Sequence, residues 1–549
     1  MPTNSILVNF NGCPSSLDSL MPDNGLANLA GSLLESGHHT IIMDFCTVNI
    51  IRRMIPEELQ IDLEEIYNES IKVLVSGGQF TKSMLDHLVA LDKRLEQSKS
   101  LELPKIAEEI INQALNIDAD FIGFKLWTGE GFEGSVKIAE IIKSRLPEVK
   151  IIAGGPHVDW FMKNIFNYTD IFDILVYGEG EEVIKLIANY VKGNQSLDEI
   201  PNIIYKKNGN IYKTPKQILP DLNILADPIY DEKIYPAIVG DQKIKFIMID
   251  ESRGCPNQCY FCIHPQKSGN RWRIRDYERI VDLIEKLSRE LNTSIFRLSG
   301  SNTPPDLRRD ISNELIKRNL GISYAGFGHV RSDEDYDLLK LSGCVSLAFG
   351  VESGSQKILD QDINKRVKVD QIIRALTGCK RAGILAVASI IAPCPHDTEE
   401  TLKETLDLLI QTRPDAVTIQ LPGLTPNAFW YEHKEQFGFE LDADCMERSM
   451  LYKIKLLLPP MMWEKLPYKI NGKSSHELTK MAQDLSSELE KHGILTGIGD
   501  FLLLISNSMK IPALEMRNIN RRMFFTGDFN TIQNMVLSFN DLTKRLNRG

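Results

Sequence analysis

Apolar residues along the first 200 positions come in short runs, separated by longer stretches in which they recur every three or four residues. The runs at 6–10, 40–45, 121–127, 150–153 and 174–177 predict strands, and the stretches at 25–36 and 134–145 predict amphipathic helices. Strands alternating with helices predict a parallel, doubly wound α/β sheet, whose ligands lie beyond the carboxyl ends of the strands. From 50 to 115 the pattern turns helical, at 56–75, 81–97 and 104–115, which predicts a helical insertion beside the sheet. Residues 201–240 are rich in Pro, Asp and Asn and carry the hairpin signal Asn208-Gly209, so they read as a linker with a small β excursion. Alternation then resumes, with apolar runs at 245–250, 294–298, 323–326, 345–350, 387–391 and 416–420 and helical stretches such as 277–291 and 402–411 between them. Beyond about 430 the chain reads as helical to 549, with an amphipathic stretch at 474–492 and Gly493 as its stop signal.

The length of 549 residues suggests about three domains. A net charge of -11 argues against a general nucleic-acid surface, which needs a basic stripe to neutralise phosphates. Lys267, Arg271, Arg273 and Arg275 are locally crowded, either as solvated charge or as a basic patch. No stretch approaches the roughly 20 apolar residues of a bilayer span, and nothing at the N-terminus resembles a signal peptide. The expectation is a cytoplasmic protein with no membrane and no nucleic-acid partner. Cys13, Cys46, Cys344, Cys379, Cys394 and Cys445 are scattered, and most are expected to be small buried hydrophobes.

The other three cysteines change the picture. Cys255, Cys259 and Cys262 lie in Glu251-Ser-Arg-Gly-Cys-Pro-Asn-Gln-Cys-Tyr-Phe-Cys262, directly after a predicted strand. They can supply three thiolates to one [4Fe–4S] cluster, one fewer than its usual complement, which leaves an iron open to a substrate. The alternatives are a zinc site, for which only His264 lies nearby as a further ligand, and a disulfide, which requires an oxidising compartment. Three predicted strand ends in the first half carry Trp127-Thr128-Gly129, Gly154-Gly155-Pro156-His157 and Gly178-Glu179-Gly180-Glu181. Glycines there either form tight turns or let the backbone approach a bulky ligand.

Together the cysteine triplet, with Phe261 before its last member, and the three glycine-rich turns resemble the cobalamin-dependent radical S-adenosylmethionine (SAM) enzymes. The resemblance implies a cobalamin-binding domain over 1–200 with its insertion at about 50–115, a linker over 201–240, a partial (β/α)6 radical SAM barrel over 241–430, and a C-terminal helical cap over 431–549. It implies three cofactors: a [4Fe–4S] cluster on Cys255, Cys259 and Cys262, SAM on the open iron, and cobalamin over Trp127, Thr128, Gly129, Gly154, Gly155, Pro156, Gly178 and Glu179. By the same resemblance Glu352, in Gly350-Val-Glu-Ser-Gly-Ser355, takes the ribose hydroxyls of SAM. Ser299 and Ser301 stand where relatives carry a Gly-Gly-Glu segment for the methionine amine. No Asp-x-His-x-x-Gly motif is present, so no protein histidine is expected on cobalt. The implied reaction is methyl transfer from SAM through methylcobalamin to a carbon of a small metabolite or peptide, with an external flavodoxin- or ferredoxin-type electron donor. The alternatives are a non-methylating rearrangement or ring closure of the tetrapyrrole type, and a corrinoid-binding module without turnover.

Overall fold

In the computed structural model, residues 2–76, 78–300, 303–330 and 334–544 are described. The first sheet runs in the order β2-β1-β3-β4-β5-β6-β7. Its strands are β1 (Asn4–Asn9), β2 (His39–Asp44), β3 (Phe121–Lys125), β4 (Lys150–Gly154), β5 (Ile174–Val176), β6 (Ile203–Lys207) and β7 (Asn210–Lys213). The first five are parallel. Alternate residues of β1 show why the run is apolar throughout. Ile6 and Val8 join the core formed with Ile106, Ile110, Ile138 and Ile142, while Leu7 joins Leu26, Ala30, Ile184 and Ile187 on the opposite face. A parallel sheet buried on both faces has no polar side.

Two features differ from the sequence expectation. The β excursion of 201–240 is an antiparallel hairpin that extends the same sheet, β6 pairing with β5 and β7 with β6. Asn208 and Gly209 turn it at positive φ, as a two-residue hairpin requires. The helices expected at 81–97 and 104–115 are one helix, Lys82–Ile117, with Pro104 inside it. Proline at 104 frees the carbonyl of Ser100, an exposed position, where water can satisfy it. One buried row carrying Leu91, Leu103, Ile106 and Ile110 continues across the interruption.

The second sheet is wholly parallel, in the order β15-β14-β13-β12-β11-β8. Its strands are β8 (Ile247–Ile249), β11 (Ile295–Leu298), β12 (Ser323–Gly328), β13 (Cys344–Glu352), β14 (Leu385–Ile391) and β15 (Ala416–Gln420). Between β8 and β11, β9 (Ser252–Arg253) and β10 (Arg273–Ile274) form a short antiparallel ladder that closes off residues 254–272 as a loop. The helix Thr398 caps, Glu399–Thr412, packs on the outside.

The C-terminal region is helical, as expected, and packs closely on the rest of the fold. Its helix Asp500–Met509 packs against β12, β13 and β14, where Leu503 and Ile498 meet Ala348, Val387 and Ala416. Arg297 of β11 reaches it with Nε 3.0 Å from Asp500 Oδ2, its guanidinium lying over Phe327 and Phe501. The next helices, Ala513–Thr526 and Phe529–Leu542, pack on the insertion helices Glu57–Val75 and Val48–Met54 respectively. A small antiparallel pair, β16 (Phe439–Leu441) with β17 (Tyr468–Ile470), completes the fold beside the loop that carries the cysteines.

Candidate active site between two sheets

The loop 254–272 is fixed at both ends and from behind. Gly254 has φ +81, and a Cβ there would collide with the Arg271 carbonyl oxygen, so only glycine starts this loop without strain. Behind the loop, Tyr260 stacks on Phe429 with centroids 4.2 Å apart, and Phe261 lies 5.9 Å from Trp430. The Trp430 indole donates to Asp362 O at 2.8 Å. These contacts turn Cys255, Cys259 and Cys262 toward a cavity of about 420 Å³ at the carboxyl ends of the second sheet, which Glu352, Lys365, Phe327, Ile391 and Leu421 also line.

All nine cysteines are free thiols. Among the described residues, no three His, Cys, Asp or Glu side chains converge on a single metal-ion position. The triplet instead borders a cavity, which fits a cubane, where each thiolate binds a different iron. Burial pushes the Cys259 and Cys262 thiols up, to about 12 and about 11, in the metal-free protein. The backbone N–H of His264 donates to Cys262 Sγ at 3.4 Å.

Glu352 closes the cavity from β13. Its backbone sits at φ +64, where the pairing with β14 shifts register between Gly350 and Glu352. A left-handed non-glycine residue at a bulge is the kind of strain that functional sites hold. Its Oε1 accepts from Lys365 Nζ at 2.7 Å, and Lys365 also donates to Gly350 O. Burial opposes the Lys365 charge, but Glu352 and the neighbouring thiols outweigh it and hold its pKa above the ordinary lysine range.

A second cavity, of about 290 Å³, opens at the carboxyl ends of β3, β4 and β5. Gly25, Gly123, Gly154, Gly155, Gly178 and Gly180 all line it. Within β3, a Cβ on Gly123 would sit 3.1 Å from Leu7 Cδ2 and fill part of that space. A backbone-walled slot of this kind fits a large, flat ligand. The slot reaches the second sheet, since Asp250, Ser252, Arg253 and Ser299 also line it, and His264 lines both cavities.

The site residues expected from sequence thus separate into groups. Cys255, Cys259, Cys262 and Glu352 share the first cavity; Gly154, Gly155, Gly178, Glu179 and Ser299 border the second. Ser301 lies outside the described residues. Trp127, Thr128, Gly129 and Pro156 line neither cavity. The Trp127 indole donates to Asn9 Oδ1 at 3.2 Å, and a Cβ on Gly129 would come 2.6 Å from Tyr452 O. Pro156 occupies the first turn of the helix Pro156–Phe161. The Ser299 hydroxyl donates to Ile249 O at 2.8 Å. Cys394 is buried, its thiol donating to Ile391 O. Sequence reading missed Lys365 and the bridging position of His264. Gly123 gave the available signal, a glycine inside a buried strand.

The Glu179 carboxylate is engaged by protein. It accepts from Arg273 Nη1 at 2.9 Å and from the Leu219 N–H at 3.1 Å. Glu181 pairs with Arg253, whose Nη1 lies 3.1 Å from Oε2, and Arg253 Nε donates to Asp250 at 3.0 Å. Lys267 pairs with Asp159 at 2.8 Å. Three residues of the arginine- and lysine-rich ladder and loop therefore clamp the glycine-rich turns of the first sheet.

With this geometry in place, comparison with known proteins is direct. Residues 251–409 match the radical SAM superfamily and residues 87–188 match the B12-binding domain. An uncharacterized methyltransferase of Pyrococcus horikoshii is 27% identical over 53% of this chain and 63% of its own length. The anaerobic magnesium-protoporphyrin IX monomethyl ester cyclase of Rubrivivax gelatinosus is 26% identical over 56% of this chain and 57% of its own length. The chain thus spans less than two thirds of either relative. Among solved structures, the radical SAM methyltransferase TsrM of Kitasatospora setae, with cobalamin and a [4Fe–4S] cluster bound, superposes with a TM-score of 0.61 at 14% identity, covering 96% of this chain and 99% of that one. That likeness establishes the shared fold.

The chain carries a radical SAM domain at 251–409 and, ahead of it, a B12-binding domain at 87–188. The first match implies a [4Fe–4S] cluster and SAM as cofactors, and the second implies cobalamin.

Proposed function

We propose that this protein is a cobalamin-dependent radical SAM methyltransferase that transfers a methyl group from SAM, by way of cobalamin, to a carbon of a small metabolite or peptide. The observation that carries the reading is adjacency. The thiol-bordered cavity and the glycine-lined cavity meet at His264, so ligands in the two face one another across one side chain. Bound there, the cluster supplies the electron that cleaves SAM, and cobalamin supplies a methyl carrier.

The chain's own residues hold and screen. Cys255, Cys259 and Cys262 are the cluster's thiol donors, one short of the usual four. Glu352 offers an acceptor-only carboxylate suited to a vicinal diol, and Lys365 fixes its orientation. Phe327, Ile391, Leu421 and Trp430 give the cavity an apolar wall that limits water around reactive species. A flavodoxin- or ferredoxin-type donor and a cytoplasmic setting complete the proposal. Among the described residues no helix is long and apolar enough to cross a membrane.

The second reading, a rearrangement or ring closure without methyl gain, draws support from the similarity to the Rubrivivax cyclase. Anaerobic reconstitution separates the two. With reductant, SAM and cobalamin, the methyltransferase forms S-adenosylhomocysteine and methylcobalamin, whereas 5′-deoxyadenosine with no methylated corrinoid favours the second reading. A Cys259→Ala protein that loses the cluster's absorbance and still turns over SAM removes the cluster from either, and one that keeps both removes Cys259 from the ligand set.

A further inference from the structure

His264 lines both cavities and is exposed, so a ligand in either one reaches it. Its backbone N–H donates to Cys262 Sγ at 3.4 Å. The short helix that it opens, His264–Ser268, carries Lys267 and Ser268 into the wall of the glycine-lined cavity. One short run of chain thus leads from a thiol donor to that wall.

The run is pinned at several points. The Cys255 N–H donates to Gly269 O at 3.1 Å, which closes the loop, and Arg273 Nη2 donates to Ser268 O at 2.7 Å. Lys267 Nζ lies 2.8 Å from Asp159 Oδ2, and the other oxygen of that carboxylate accepts from the Gly178 N–H at 2.7 Å. Gly178 stands at φ +74 and lines the same cavity. A backbone held in this way does not retreat when a ligand enters, and the exposed imidazole is the part that adjusts. Ordering one such side chain on binding costs about two- to twelve-fold in affinity. The first of two ligands that touch it meets that cost, and the second does not.

We infer that His264 is a positioning residue shared by the two sites: filling either cavity orders its ring and so raises affinity in the other. Resting on the cofactor assignments above, the ligand of the thiol-bordered cavity is SAM on the cluster, and that of the glycine-lined cavity is a corrinoid. By linkage, SAM must tighten corrinoid binding by the same factor by which the corrinoid tightens SAM binding.

Cluster-loaded parent, His264→Ala and His264→Phe are compared anaerobically with the cluster left oxidised, so that SAM binds without being cleaved. Hydroxocobalamin affinity is measured by equilibrium dialysis with and without saturating SAM, and SAM affinity by calorimetry with and without hydroxocobalamin. The parent should show a mutual gain of about three-fold or more, as the ordering of one side chain implies. His264→Ala, with no ring to order, should show none. His264→Phe, which keeps a flat ring on the same two torsions, should retain it. Cluster absorbance per chain and thermal midpoints check that each variant is intact, and His264→Ser takes the place of an alanine variant that fails to load. Independent binding in the parent, a gain retained in His264→Ala, or a gain lost in His264→Ala and His264→Phe alike overturns the inference, as does failure of every variant to load the cluster. A parent that binds both ligands with neither affecting the other overturns the inference alone, whereas a parent that binds no hydroxocobalamin overturns the corrinoid reading with it.

Discussion

At the scale of single residues, Glu352 and Lys365 are the pair to test. Both are largely buried, and each neutralises the other. Removing one partner of a buried ion pair costs about 3–5 kcal/mol, whereas replacing both with apolar or neutral groups costs far less. Lys365→Met and Glu352→Gln should therefore each lower stability more than the double variant does, as measured by urea midpoints of the cofactor-free protein. Additive losses would mean that the two side chains act separately. His157 gives a second test. It is fully buried against Phe132, with ring centroids 4.1 Å apart, and neither ring nitrogen has a partner. Burial lowers its pKa to about 3. Its stabilising contribution is complete above about pH 6.5, the value of an unperturbed histidine, and is lost as the pH falls toward 3. The slope within that window is about 1.4 kcal/mol per pH unit. A His157→Leu protein should lose less stability between pH 6.5 and pH 3 than the parent; an identical pH profile would show that His157 is already solvated.

At the scale of elements, the helix Lys82–Ile117 carries an interior proline that a helix forms only with loss. Pro104→Ala restores a backbone donor and removes a ring clash that together cost up to about 3 kcal/mol. The expected outcome is a higher urea midpoint with more helical circular dichroism; an unchanged midpoint would mean that the freed carbonyl is already well satisfied. The same proline explains why one helix reads as two in sequence, since a breaker was given more weight than the buried row on either side of it. Strands were more legible. The apolar runs of the first sheet have one meaning when both faces are covered, and β13 and β14 fall close to their expected positions. The hairpin β6–β7 was half legible: Asn208-Gly209 announces the turn, but no local pattern tells a strand pair which sheet edge it will join.

At the scale of the molecule, two carboxylates of the first sheet hold the second. Burial alone would raise the Glu181 carboxyl, but Arg253 outweighs it and holds the group below the usual glutamate range. The stabilisation that this pair gives is present above about pH 4.3 and fades as the pH falls through the depressed value. Acidification below about pH 4 should therefore loosen the contact between sheets, seen as faster limited proteolysis within 214–246, and Glu181→Gln should blunt that dependence. Protection that is equal in both proteins would place the contact's strength elsewhere. Sequence reading found the cysteine triplet because covalent chemistry imposes local spacing. Glu179, expected at cobalamin by resemblance, borders the glycine-lined cavity, while its bond to Arg273, far away in the chain, was not legible. Trp127, Thr128 and Gly129 fell outside the cavities for the same reason: the Tyr452 segment that packs there becomes their neighbour only in the folded protein.

The helix Asp500–Met509, wedged into the hollow of the open barrel, has one more consequence. A partial barrel without such a plug can admit molecules from beneath as well as from above. Here Leu503 packs on Ala348, Val387 and Ala416, and Arg297 of β11 ties the helix down at Asp500. The thiol-bordered cavity and the glycine-walled slot then share a wall at His264, so a ligand filling the slot also shapes the space beside the thiols.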